Sequence, residues 1–271
     1  MDKMYVITHK PFNNPGLEYF FPLEVGSALR NDQLGYLRDD TGENISAKNK
    51  NYCELTGIYW VWKNEKADNV GICHYRRYFS KWSLDADPKY YFSMNDLHKY
   101  LNKYDIILPE RYFWIKHNVA TGYYDAGQGI EKDLTMVCNI INRKYPSYST
   151  TLNKVLKSKS ASYCNMMVCS KKIFDRYCEW LFDILFELEN VTDISTYSAA
   201  EARVFGYLSE ILLNVWVINN DLKIKRLPVA VDKPISKRRK VFYKVEKVPL
   251  IGIISKILLC MDINYLTRTK E

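Results

Sequence analysis

Apolar positions along this chain alternate between short unbroken runs and longer stripes spaced three and four residues apart. Unbroken runs predict buried strands at 4–8, 20–25, 70–74, 105–109 and 163–169. Between the second and third runs, the turn Asp39-Asp40-Thr41-Gly42 opens a stretch ending at Asn64. There Leu55, Ile58, Tyr59 and Trp62 share one helical face, with Asn44 or Ser46 as the cap. Further helices are predicted over 96–104, 131–145, 151–157 and 199–214. The stripe Ile173, Phe174, Tyr177, Trp180, Leu181, Ile184, Leu185 and Leu188 makes 171–190 the clearest of them. A last strand falls at 216–218 or 223–227. Residues 81–91 form a polar excursion, and the aromatic, glycine-bearing stretch 111–129 suits a loop that shapes a pocket. Strands alternating with helices predict an α/β fold.

The break after the third strand carries the first chemistry. Apolar Val70, Gly71, Ile72 and Cys73 give way to His74, Tyr75, Arg76 and Arg77. The carboxyl end of a buried strand is where open α/β sheets bind ligands, and two guanidinium groups can grip an anion bidentately. The cluster is a candidate diphosphate site working without a metal ion. Thr8, His9 and Lys10, at the carboxyl end of the first strand, join it as donor-side candidates. Asp85-Ala86-Asp87 spells Asp-X-Asp, but it follows a polar segment and precedes a proline. It reads as a solvated loop, not a metal site.

Length and composition narrow the picture. The chain has 271 residues, 47% of them hydrophobic, which suits one domain (1–232) with an appendage (233–271). The start, MDKMYVITHKPF, is not a signal peptide, and no stretch approaches the roughly 20 apolar residues of a spanning helix. Seven cysteines without a CxxC pair read as reduced thiols in the cytoplasm, and four histidines lack ligand spacing for zinc. Charge is concentrated: residues 225–256 hold ten basic against two acidic side chains, a surplus equal to the net +8 of the whole chain. At the end of this stretch Leu250, Ile253, Ile254, Ile257 and Leu258 can share a helical face. That pairing suits an interfacial helix on anionic lipid at the inner face of the membrane, with about 1 kcal/mol of attraction per charge. The alternative is a helix docked on the domain. Basic charge also admits a nucleic-acid binder, but no helix-turn-helix, RNA-recognition or zinc pattern accompanies it.

Several blocks together resemble one family. They are 39–46 (DDTGENIS), 48–64 (KNKNYCELTGIYWVWKN), 71–79 (GICHYRRYF), 105–109, Asn165-Met166 with the helix after it, and 203–216 (RVFGYLSEILLNVW). Their order and length are similar to bacterial capsular and exopolysaccharide glycosyltransferases described as domain of unknown function 4422. The resemblance implies a single GT-A-like, Rossmann-type domain binding a nucleotide sugar. It implies inverting transfer of a hexose, galactofuranose or galactose, from a UDP-sugar to a polyprenyl-diphosphate-linked oligosaccharide. Three positions depart from the family's habit: Gly129 stands where histidine is usual, Ile211 for arginine, and Arg38 for glycine.

Glycosyl transfer requires a grip on the diphosphate, a placed acceptor hydroxyl and a base for its proton. Arg76, Arg77 and His74 are expected to stabilise the leaving diphosphate, with Asn44, Ser46 and Asn49 as hydrogen-bonding groups for the donor. Asp39 and Asp40 either build their turn or bind sugar hydroxyls, Asp40 serving also as a candidate base. Glu210 is the other candidate base; Arg203, seven residues earlier, falls on its helical face. Glu54 is an acidic group in an otherwise apolar helix, so burial would demand a partner. Tyr52, Glu54, Trp60, Asn165 and Arg203 are the candidates for sugar or acceptor contact, although Trp60 also fits a core. A glycan-binding module without turnover is the remaining alternative.

Overall fold

The structure, a computed structural model, describes residues 1–81 and 87–232. The basic tail at 233–271 and Asp85 of the Asp-X-Asp lie outside the described residues. The described chain runs β1 (Asp2–Thr8), β2 (Phe20–Glu24), β3 (Leu37–Arg38), α1 (Asn49–Tyr52), α2 (Leu55–Asn64), β4 (Asn69–His74) and β5 (Arg77–Phe79). It continues through α3 (Met94–Leu101), β6 (Ile106–Pro109), β7 (Tyr112–Phe113), α4 (Val119–Tyr124), α5 (Glu131–Lys144), α6 (Ser149–Lys157), β8 (Ser160–Ala161) and β9 (Met167–Ser170). Last come α7 (Lys171–Val191), α8 (Val204–Asn219), β10 (Ile224–Leu227) and β11 (Val229–Val231).

One mixed sheet has the order β10-β6-β9-β4-β1-β2-β3, with β5 and β11 paired beside the end of β4. Strands β4, β1, β2 and β3 are parallel, as are β6 and β10, while β9 runs antiparallel between β4 and β6. The reversed strand matters for chemistry. Met167 of β9 lies opposite Ile72 of β4, so the residues entering β9 meet those leaving β1, β4 and β6 at one edge. Alternation along β1 divides the interior: Tyr5 and Ile7 join the larger core, Met4 and Val6 the smaller. Both faces are therefore covered, which is why the strand reads as continuous apolar sequence. The larger core holds α2, α5, α7 and α8; fully burying a Leu, Ile or Phe there contributes roughly 1.5–3 kcal/mol per side chain.

Three boundaries differ from the sequence expectation. Residues 163–166 are a turn, not strand, because Cys164 (φ 77°) and Asn165 (φ 48°) take left-handed backbone. Residues 216–218 lie inside α8, where Trp216 and Val217 pack into the larger core, so the last core strand is β10. The 111–129 stretch is not all loop: it contains β7 and α4, the latter capped by Asn118, whose side chain accepts from Thr121 N at 2.9 Å. Neither Asn44 nor Ser46 caps a helix with its side chain. No helix among the described residues is long and apolar enough to cross a membrane.

Candidate active site

The carboxyl edge of the sheet assembles a carboxylate centre and a cationic rim. At the centre, Glu210 on α8 accepts a 2.7 Å hydrogen bond from the Cys164 amide. Glu54, at the start of α2, accepts from Asn165 Nδ2 at 2.7 Å, and the same amide nitrogen reaches Ser209 Oγ at 2.8 Å. The Asn165 side-chain oxygen is buried without a partner among the described residues. Burial, then the charge of Glu54, pushes the Glu210 carboxyl up to about 7. The Cys164 amide, Arg77 and Arg203 oppose that rise. A carboxyl near neutrality suits a general base.

Strained backbone shapes this centre. Of the five non-glycine described residues with positive φ, three, Cys53, Cys164 and Asn165, surround the two glutamates. Each such position costs about 1–3 kcal/mol and persists only where neighbours enforce it. Cys53 (φ 52°) breaks the helical run between α1 and α2 and turns Glu54 inward. Asn49 Nδ2 holds that kink through Cys53 O (2.7 Å) and Thr56 Oγ1 (2.9 Å). Gly206 allows α8 close to it, since an added Cβ would sit 3.2 Å from that of Cys53. The Cys53 and Cys164 thiols are pushed up to about 11, chiefly by burial, so both stay protonated and neither is an activated nucleophile.

The rim is positive. After partial desolvation, the charges of Lys10, Arg76, Arg30 and Arg203 hold the His9 imidazole below its ordinary value. The Tyr75 ring, 5.4 Å from that of His9, also has Lys10 over it at 5.8 Å, which gathers these cations at the end of β1. Thr8 shapes this turn, its hydroxyl donating to Lys10 O at 2.5 Å and accepting from Lys10 N at 3.2 Å. Arg76 lies over the Tyr75 ring at 4.7 Å. Arg30 donates to His9 O and pairs with the fully buried Glu24. Arg203 Nε lies 3.2 Å from Cys53 Sγ, and its guanidinium lies 5.2 Å from the Tyr207 ring centroid.

Other expected site residues are spent on scaffolding. His74 is buried and neutral; its Nε2 lies 2.6 Å from Cys164 O, tying β4 to the turn before β9 instead of facing a phosphate. Arg77 is half-buried, and Cys164, Glu210 and Glu54 raise its guanidinium above the ordinary value, so it neutralises the carboxylate centre. Asp39 is fully buried, with Gly26 N (3.0 Å), Ser27 N (3.1 Å) and the Ser46 hydroxyl donating to it. It holds the turn after β2 and has no room for a donor. Asp40 is gripped by Arg38 at 2.6 and 3.1 Å and held below the usual carboxylate range, chiefly by that hydrogen bonding, which makes it a poor base. The arginine responsible stands where the family resemblance suggested glycine.

Asn44 closes its own turn, accepting from Ser46 N and donating to Gly42 O. Tyr52 is a core residue, stacked 4.5 Å from Phe205 with its hydroxyl 3.0 Å from Glu189. Trp60 Nε1 donates to Thr41 O at 2.9 Å, fixing α2 to the turn before it. Gly129 accommodates the Tyr123 ring, whose atoms lie 2.2–2.4 Å from where a Cβ would stand. Ile211 is buried in the larger core. Arg30, Cys53, Cys164 and Ser209 are site residues that sequence reasoning missed. Cys53 and Ser209 fall inside the blocks 48–64 and 203–216 but carry no chemical pattern of their own, while the crossing after β2 brings in Arg30 and the turn before β9 brings in Cys164.

Among the described residues, no group of three or more His, Cys, Asp or Glu side chains is placed to hold a metal ion. Asp87 caps the short turn after it, accepting from Lys89 N at 3.1 Å.

Residues 3–221 match the family described as a domain of unknown function, DUF4422. The chain belongs to this family. Among solved structures it is similar to the apo structure of the WbbM bifunctional glycosyltransferase, with a TM-score of 0.80 and 32% identity. The match covers 87% of this chain and 47% of that one, so the chain spans about half the length of that protein. No curated protein matches the sequence. The α/β fold, with its mostly parallel sheet, is thus the fold of a glycosyltransferase structure.

Proposed function

We propose that this DUF4422 chain is a glycosyltransferase that moves a hexose from a UDP-sugar to a lipid-linked glycan acceptor, inverting the anomeric centre. One observation carries the reading: a half-buried glutamate poised near neutrality stands beside a rim of four cations, at the edge where such sheets bind ligands. Lys10, Arg30, Arg76 and Arg203 take the donor diphosphate and stabilise the charge that grows on it as the glycosidic bond breaks. Glu210 accepts the proton of the attacking hydroxyl. Glu54 and Asn165 orient hexose hydroxyls, and Arg77 opposes the rise of the Glu210 carboxyl. The similarity to a bifunctional glycosyltransferase supports the class of reaction. The role of galactofuranose or galactose rests on the family resemblance alone. Cations supply the charge a metal would otherwise supply, so transfer is expected to be metal-independent.

The test is a panel of UDP-sugars scored by thermal stabilisation, with and without chelator, followed by release of uridine diphosphate on adding a lipid-linked glycan. Stabilisation that survives chelator, together with acceptor-dependent release, supports the reading. Binding without release would make the chain a glycan- or nucleotide-binding module. Strict manganese dependence would overturn the metal-free part.

A further inference from the structure

A second cationic site lies at the same sheet edge, on the far side of the carboxylate centre. Arg226 on β10 is half-buried and donates from Nη1 to Ser162 Oγ at 2.6 Å. Ser162 is fully committed, its hydroxyl donating in turn to Pro109 O at 2.6 Å. That uses one of five guanidinium N–H groups. Among the described residues no carboxylate pairs with Arg226. Its charged neighbour is another arginine, Arg111, which follows β6; burial first, and then Arg111, pull the Arg226 guanidinium down to about 10. The register explains the meeting: Leu227 pairs with Pro109, and Glu110 N donates to Leu227 O at 2.9 Å. Two adjacent like charges, one half-buried, destabilise a fold unless an anion joins them.

The position of this pair identifies the anion's source. Asn214, one turn after Glu210 on α8, receives a 2.9 Å bond from Ser162 N and donates to Ser162 O (2.7 Å) and Glu210 O (2.8 Å). Ser162 is also two residues before Cys164, whose amide holds Glu210. The anchor of Arg226 is therefore separated by Tyr163 alone from the residue whose amide holds the proposed base. Tyr163 itself belongs to an aromatic cluster: Trp114 Nε1 donates to Tyr163 OH at 2.8 Å, and Tyr112 packs edge-on to both rings. Aromatic faces suit sugar rings.

We infer that Arg226 and Arg111 form an acceptor subsite for a phosphoryl group carried close to the accepting sugar, so that the chain acts on short, phosphate-linked acceptors. The inference rests on the transferase reading above and adds the acceptor's anionic end to it. Arg226 is a binding residue here, distinct from the rim around His9.

The experiment uses the full chain. With the donor site saturated by uridine diphosphate, inorganic pyrophosphate binding is measured by calorimetry. Wild type is expected to take up pyrophosphate, Arg226→Gln to bind it at least about tenfold more weakly, and both to hold uridine diphosphate equally. Arg111→Gln, at an exposed position, gives the same direction should Arg226→Gln fold poorly. KM for an alkyl-diphosphate-linked sugar should rise in these variants, while KM for the same sugar as an alkyl glycoside stays unchanged. No pyrophosphate uptake by wild type, or equal KM changes for both acceptors, would overturn the inference. So would a loss confined to phosphatidylglycerol vesicles relative to phosphatidylcholine, which would assign the arginines to membrane headgroups. Failure of the transferase reading shows separately, as absent release of uridine diphosphate with every donor.

Discussion

Replacing Glu210 by glutamine separates the proposed chemistry from stability, because the two should move in opposite directions. The wild-type carboxyl lies at about 7 against an ordinary 4.5. The folded protein thus binds this proton more tightly than the unfolded chain does. Its contribution to stability is complete below pH 4.5 and is lost as pH rises from there to about 7. The displacement is equivalent to about 3 kcal/mol. Glutamine removes the ionisation but keeps an acceptor oxygen for the Cys164 amide. The difference in stability between Glu210→Gln and wild type should therefore grow in the variant's favour by about 3 kcal/mol between pH 4.5 and 7.5. For a domain of this size that is several degrees in Tm. Turnover should fall roughly 10²–10⁴-fold, the usual share of a general base, and the rise in wild-type rate through pH 7 should vanish. Melting curves at paired pH values, with kcat from release of uridine diphosphate and donor affinity from calorimetry, provide the measurement. A variant that keeps wild-type turnover removes the base. One whose stability tracks wild type at every pH shows that the carboxyl is not perturbed by burial.

Four further outcomes follow from the same contacts. Arg77→Ala removes a charge that holds Glu210 down, so the rising limb of the pH–rate profile should move to higher pH; an unmoved limb would refute the coupling. Arg76→Ala, which strips a cation from the rim around His9, should weaken donor binding or turnover by roughly 10²-fold with Tm unchanged. Asp39→Ala orphans two buried amides and the Ser46 hydroxyl, and should cost about 2–4 kcal/mol by denaturant unfolding; a neutral result would return Asp39 to the list of donor contacts. Gly57→Ala brings a Cβ to 2.8 Å from Val25 Cγ1 and 3.2 Å from Ile7 Cδ1, and should lose about 1–3 kcal/mol by overpacking α2 on the sheet.

Sequence alone determined the periodic elements and the chemistry hung on their ends. The run 70–73 reads as a strand with its polar break at a sheet edge, because four apolar residues in a row leave neither face suited to water. Glu210 and Arg203 were legible as lying on one helical face because two turns return to it, and the Arg203 charge does act on the Glu210 carboxyl. The clear stripe of 171–190 became α7 for the same reason. What the sequence could not settle was how each polar side chain is spent. Asp39 and Asp40 are adjacent and chemically alike, yet one closes a buried turn and the other is claimed by Arg38. His74 and Arg76 stand two residues apart, yet one is sealed against Cys164 O and the other opens onto the cationic rim. The kink at Cys53 and the left-handed pair Cys164-Asn165 carry no glycine to announce them. They exist because β9 enters the sheet reversed and α8 packs close against Cys53. Local periodicity is a property of neighbours in sequence. Whether a carboxylate is paired, buried or left to accept a proton depends on groups from two residues away, as for Asp40, to 111 away, as for Glu54, and only their packing decides it.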